Sequence, residues 1–224
     1  MRIRFDLINL EIELGENEIN VITIENVSDY RSIVGDLYRL SNNSDGGIVI
    51  SSDKGEEAFS KVSETIINPF SVSLNSKKIL NSVYKEIYDI GIDKHVKDFI
   101  NLSDQVRVFI DKMINSVPYE LQYLDNITIQ DYLKVFDVKF DETDMGFLEH
   151  LIMYINTIRQ VLNKNVVFIV GLKDYINEEE IAYLYERCLY EKIRIVLIEH
   201  VYRKPCNCNE KCFVVDEDHC IIKV

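Results

Sequence analysis

The stretch VVFIVGLKDYINEEEIAYLYERCLYEKIRIVLIEH, residues 166–200, decides the fold. Val166-Val167-Phe168-Ile169-Val170 is a continuous apolar run closed by Gly171, the pattern of a strand covered on both faces. Asn177 followed by Glu180 supplies a helix cap, and Glu178–Glu180 place negative charge on the positive helix end. Ile181, Leu184, Tyr185, Cys188 and Leu189 then form one apolar stripe. Residues 193–198 are a second apolar strand, ending at Glu199 and His200. Strand, helix and strand within about 35 residues predict a right-handed parallel unit in an α/β fold.

Working outward, residues 2–7 and 10–14 alternate apolar and polar side chains and predict a hairpin with one buried face. Residues 19–25 predict a strand. Val27, Tyr30, Val34, Leu37 and Tyr38 predict a helix capped by Asn26 or Ser28. A turn cluster at 42–47 precedes a short strand at 48–50, a second turn at 51–55 and a strand over 62–68 that stops before Pro69. Residues 76–114 are helical in pattern, with a break expected at Gly91 and Asp93. Thr128 with Asp131 predicts a capped helix at 129–136, and another helix is expected over about 144–162. Residues 213–215 and 220–224 predict a final hairpin. The architecture this suggests is an α/β head made from residues 1–71 and 141–224, with residues 72–140 inserted as a helical leg.

The composition sets limits on function. Of 224 residues 47% are hydrophobic, enough for a core. No segment offers the roughly 18 apolar residues of a membrane span, and the alternating, early-acidic N-terminus does not read as a signal peptide. A cytoplasmic protein with no membrane partner is expected, with five cysteines as thiols or metal ligands. Net charge is −13, which as a whole opposes phosphate backbones. Residues 72–118 differ: seven bases against six acids leave them at +1, the rest of the chain at −14.

Three groups of residues are candidates for chemistry. A strand ending in Glu199 resembles the metal-side strand of an ATPase, but no G-x-x-x-x-G-K-[ST] accompanies it, and Gly46-Gly47 precedes a strand; no nucleotide is expected. Cys206, Cys208 and Cys212 fall near Pro205 in an expected turn, with His219 and Cys220 beyond. Such soft ligands suit Zn²⁺, and would make a metal-dependent enzyme an alternative function, although C-x-C-x₃-C is not a common zinc spacing; the simpler reading is a turn of reduced thiols. Glu120, Asp125 and Asp131 offer oxygens to Ca²⁺ without EF-hand spacing, against a reading as solvated acids. Lys77, Lys78 and Lys85 could meet phosphates if several copies assembled around a duplex; on local charge alone they read as a solvated helix face.

Four segments together resemble a known family: residues 2–40 (RIRFDLINLEIELGENEINVITIENVSDYRSIVGDLYRL), 127–143 (ITIQDYLKVFDVKFDET), 151–200 and the ending FVVDEDHCII at 213–222. In this order they resemble the spacer-acquisition protein of type II-A CRISPR systems, the Csn-two family. The resemblance implies a P-loop-NTPase-like head lacking a working phosphate loop, with an inserted helical leg. It implies no enzyme activity but a homotetrameric ring that encircles double-stranded DNA, binds its ends and acts in antiviral spacer acquisition. Bound Ca²⁺ would steady the ring, and the integrase proteins and the RNA-guided effector nuclease would be its partners. Lys134 and Lys139 fall where the family often has lysines, and Asp125, with Glu120 nearby, where it has acids. The cysteine turn departs from the family. An alternative within the same fold is a protein-interaction scaffold.

Overall fold

The structure, a computed structural model, describes residues 1–124, 126–206 and 209–224. They form two compact units: Met1–Ser73 with Glu142–Val224, the sheet unit, and Leu74–Asp141, the helical unit.

The sheet unit contains two sheets. β1 (Arg2–Phe5), β2 (Leu10–Glu13), β4 (Ile48–Ser52) and β5 (Gly55–Glu57) form an antiparallel sheet in the order β2-β1-β4-β5. Its alternation puts Ile3, Phe5, Leu10, Ile12, Ile48 and Ile50 on a single buried face. The second sheet has the order β10-β9-β3-β8-β7-β6, built from β3 (Ile19–Ile24), β6 (Ser63–Ile66), β7 (Val166–Val170), β8 (Arg194–Glu199), β9 (Glu210–Val215) and β10 (Ile221–Lys223). β10 is antiparallel to β9; the other neighbours are all parallel. Val166, Phe168, Val170, Val196, Ile198, Ile22 and Ile24 join the inner face of the antiparallel sheet in one core, with Ile33 and Leu37 of α1 (Val27–Ser41). The opposite face of the parallel strands lies with the buried stripes of α6 (Phe147–Leu162) and α7 (Glu178–Tyr190). Burial on both faces is why β7 and β8 carry no polar alternation.

α1 is capped by Asn26, whose side chain accepts the Ser28 and Asp29 amides at 2.9 and 3.2 Å. Asn177 and Glu180 form the reciprocal capping box of α7, at 3.0 and 2.9 Å.

The helical unit holds α3 (Lys77–Lys94), α4 (Val96–Ile114) and α5 (Ile129–Val135), the last with a Thr128–Asp131 capping box. Its two ends are tied by the Asn75 amide, which donates to Phe140 O at 3.1 Å and accepts Phe140 N at 2.9 Å. Tyr84 adds a bond from its hydroxyl to Val138 O at 2.6 Å. None of the helices is long and apolar enough to cross a membrane, among the described residues.

Several local expectations are corrected. The break in 76–114 falls at His95, not at Gly91 and Asp93. His95 N donates to Gly91 O to close α3, and His95 O accepts Phe99 N to open α4. Gly91 has another role: a Cβ there would lie 2.6 Å from the Ile129 Cδ1, so the missing side chain admits α5. The expected turn at 51–55 shrinks to two residues, because β4 runs to Ser52 and pairs with β5 in a tight hairpin. The strand expected at 62–68 is shorter, and follows a helical turn, α2 (Phe59–Val62). α6 begins at Phe147 rather than near 144. Cys212 does not sit in a turn; it is buried in β9, which pairs in parallel with β3 as well as in the terminal hairpin.

Candidate functional site

In parallel sheets, ligands bind beyond the carboxyl ends of the strands. Here β3, β7 and β8 bring together Tyr30, Gly171, Lys173, Asp174, Glu199, His200 and Arg203. Glu199 is buried at the last position of β8 and accepts the Lys173 backbone N–H at 3.1 Å. Burial pushes its carboxyl up to about 7, against the hydrogen bond from Lys173. His200 Nδ1 lies 2.8 Å from Ile24 O, and the Tyr30 ring is 5.0 Å from the His200 ring. Burial, followed by the charges of Glu199 and Asp174, raises the Tyr30 hydroxyl pKa. Asp174 pairs with Arg203. Gly171 holds φ 61, and a Cβ on it would lie 3.6 Å from Asp174 Oδ2 and 3.9 Å from the Tyr30 hydroxyl. The chain's own rings and ion pairs thus line the crevice. The α1 N-terminus, where a phosphate would sit in a nucleotide-binding protein, already has two amides satisfied by Asn26.

Behind this crevice lies a buried ionic hub. Lys173 Nζ donates to both Glu210 oxygens at 2.8 and 3.0 Å, and Tyr185 donates to Glu210 Oε1 at 2.7 Å. Cys206 N adds a bond to Glu210 Oε2 at 3.2 Å, and Cys212 Sγ lies 3.7 Å from the same oxygen. A second cluster of the same composition joins Lys164 to Glu64 and Ser63 O, with the Tyr154 hydroxyl 3.4 Å from Glu64. Lys164 and Lys173 flank β7 in sequence, but nothing in their spacing names a carboxylate partner 100 or 37 residues away. The sequence reading missed both hubs for that reason.

Cys206 and Cys212 favour the thiol form. Burial first and Glu210 second push Cys212 up to about 11; burial also raises Cys206. Cys208 lies outside the described residues. His219 Nε2 is 3.1 Å from Asp29 of α1. Among the described residues, no three His, Cys, Asp or Glu side chains converge as a metal site.

A cavity of about 490 Å³ is lined by Phe70, Ser73, Glu142, Phe147 and His150, among others. Ser73 Oγ donates to Glu142 Oε2 at 3.2 Å, and Glu142 Oε1 meets His150 Nε2 at 2.8 Å. The carboxylate stands between serine and histidine. This order, serine–carboxylate–histidine, differs from the serine–histidine–carboxylate order of a catalytic triad.

In the helical unit, Lys77, Lys78 and Lys85 are exposed on α3. Lys78 and Lys85 are two turns apart and share a face. Lys134 of α5 and Lys139 beyond it are also exposed, each beside an acid: Asp131 at 3.4 Å and Asp137 at 2.5 Å. The bond to Asp137 raises the Lys139 pKa. Glu120 is exposed, and Asp125 lies outside the described residues. Asp131 does not serve as an open oxygen donor. It accepts Thr128 N and Oγ1 in the capping box and also pairs with Lys134, and the Thr128 bonds hold its carboxyl below the usual range.

The fold and strand ends define a mixed α/β protein with a largely parallel sheet, whose strand-end crevice is lined by Tyr30, Glu199, His200 and the Asp174–Arg203 pair. Residues 41–219 match the family model of the CRISPR-associated protein (Cas_Csn2). The chain belongs to that family, the one its sequence segments resemble. A search of curated proteins finds no match.

Proposed function

We propose that this chain is a non-catalytic protein that binds the ends of double-stranded DNA during CRISPR spacer acquisition. The family match over residues 41–219 carries the reading. The sheet unit is a P-loop-NTPase-like scaffold without a working phosphate loop; the Asn26 cap on the α1 amides and the Tyr30–His200 ring contact at the strand ends support this. Lys77, Lys78, Lys85, Lys134 and Lys139 contact backbone phosphates, in a cytoplasmic homotetrameric ring that works with the integrase proteins and the RNA-guided effector nuclease. The charge is uneven: the sheet unit's residues hold 16 bases against 27 acids, the helical unit's 9 against 11, so the helical unit opposes phosphates least. Calcium would find Glu120 and Asp125 as donors, and zinc Cys206, Cys208 and Cys212; the described residues alone compose neither site, and no step rests on either metal.

The test is binding to linear and covalently closed duplex of equal length across a salt series. Linear DNA should bind more tightly, with affinity falling as salt rises. Lys134→Ala/Lys139→Ala should weaken binding about tenfold and flatten the salt slope by roughly two. Equal affinity for both topologies would remove end-loading. Light scattering on the eluting species, with and without Ca²⁺, tests the ring; a monomer in both would sink it.

A further inference from the structure

The buried stripe of α7 is Ile181, Leu184, Tyr185 and Cys188. Its outward face carries Glu179, Tyr183, Glu186 and Tyr190, all exposed. Successive steps of four, three and four residues place them in one stripe about 16 Å long. Tyr183 is 46% exposed and Tyr190 80%. The two tyrosines are one heptad apart, and so are the two glutamates. Each tyrosine follows a glutamate by one turn.

Two further observations say what fits this face. The Arg187 guanidinium lies over the Tyr183 ring, 5.7 Å from its centroid, so the stripe already accepts a cation on an aromatic face. Arg187 is also the one base in α7, which has four glutamates, within a sheet unit whose residues hold 27 acids against 16 bases. A phosphate backbone would meet this charge unfavourably. A cationic protein would meet it favourably, and paired Tyr and Glu offer ring stacking plus charge pairing to arginine or lysine.

We propose that the outward face of α7 docks a basic helix of a partner protein. Arginines or lysines repeated every seven residues in that helix stack on Tyr183 and Tyr190 and pair with Glu179 and Glu186. The surface is independent of the DNA contacts and is tested separately from them.

The probe is a synthetic amphipathic peptide of about 21 residues with heptad-spaced arginines, followed by fluorescence anisotropy against the full chain. Saturable binding is expected, weakened about tenfold by Tyr183→Ala/Tyr190→Ala and restored to within about threefold by Phe at both positions. Glu179→Gln/Glu186→Gln should weaken binding and flatten its salt dependence. The side chains are exposed, so melting temperatures should match wild type. Absent saturation, or an Ala double variant that binds like wild type, overturns the proposal. So does equal weakening by Glu11→Gln/Glu13→Gln, which would reveal general attraction to an acidic chain. Competition by duplex DNA that depends on Tyr183 and Tyr190 would assign the face to nucleic acid instead. Lys134→Ala/Lys139→Ala should leave peptide binding unchanged, so failure of the DNA reading remains distinguishable.

Discussion

α6 of the sheet unit and α4 of the helical unit are both amphipathic in sequence, α4 with more charges, yet only α6 buries its apolar face. α6 is 16 residues long and buries Leu151, Ile152, Ile155, Thr157 and Ile158. α4 is 19 residues long, with apolar residues at helical spacing, and buries none; Phe109 remains 64% exposed. The same contrast holds for charges. The sheet unit encloses Lys173–Glu210 and Lys164–Glu64, whereas pairs such as Arg107–Asp104 and Lys139–Asp137 stand in solvent. An amphipathic period therefore marks which face is apolar; it does not say that the chain itself covers that face.

The largest test of this difference is Glu210→Ala. It strands the Lys173 charge in the interior and should cost about 3–5 kcal/mol in urea unfolding. Lys173→Met in the same chain should recover much of the loss; no recovery would mean that the hub is not an ion pair. Close behind, Ile155→Ala should cost about 2–5 kcal/mol, while Phe109→Ala in the helical unit should stay within about 0.5. A comparable loss at Phe109 in the isolated chain would erase the contrast.

The pH profile probes the sheet unit next. Glu199 is raised from 4.5 to about 7 by burial, so the folded state holds a proton that the unfolded state has released. Stability should thus fall as pH rises from about 4.5 to 7, by at most about 3 kcal/mol. Glu199→Gln should flatten that slope; an unchanged profile would show that another group titrates there. The smallest effects compare the two capping boxes. Asn177→Ala should lower global stability by about 1 kcal/mol, because α7 is locked to the sheet. Thr128→Ala should appear mainly as faster amide exchange in α5, with the unfolding midpoint moving by only a few tenths of a kcal/mol. A global loss from Thr128→Ala would show that the short helix is as cooperative as α7.

The strand–helix–strand unit was legible because its signals are local. The apolar run of Val166–Val170, the Asn177–Glu180 box and the stripe of α7 each lie within a few residues. The β4–β5 hairpin was not, since Gly55-Glu56-Glu57 carries no apolar alternation. Gly91 misled for a related reason: its glycine serves the approach of Ile129 rather than a break, a cause 38 residues away. At the candidate site, Glu199 could be read as a strand-end acid. Its neighbours Tyr30, Lys173 and His200 could not, because those groups come from three separate strand ends.

The sequence by itself determined the α/β class, the helix caps, the family and the exposed lysines, since periodicity and capping act over one or two turns. Only the tertiary structure decided that β9 lies beside β3, that Cys212 is a buried thiol, and that Glu210 answers Lys173. Those are non-local pairings, and a buried charge takes whichever partner the fold brings within hydrogen-bond reach.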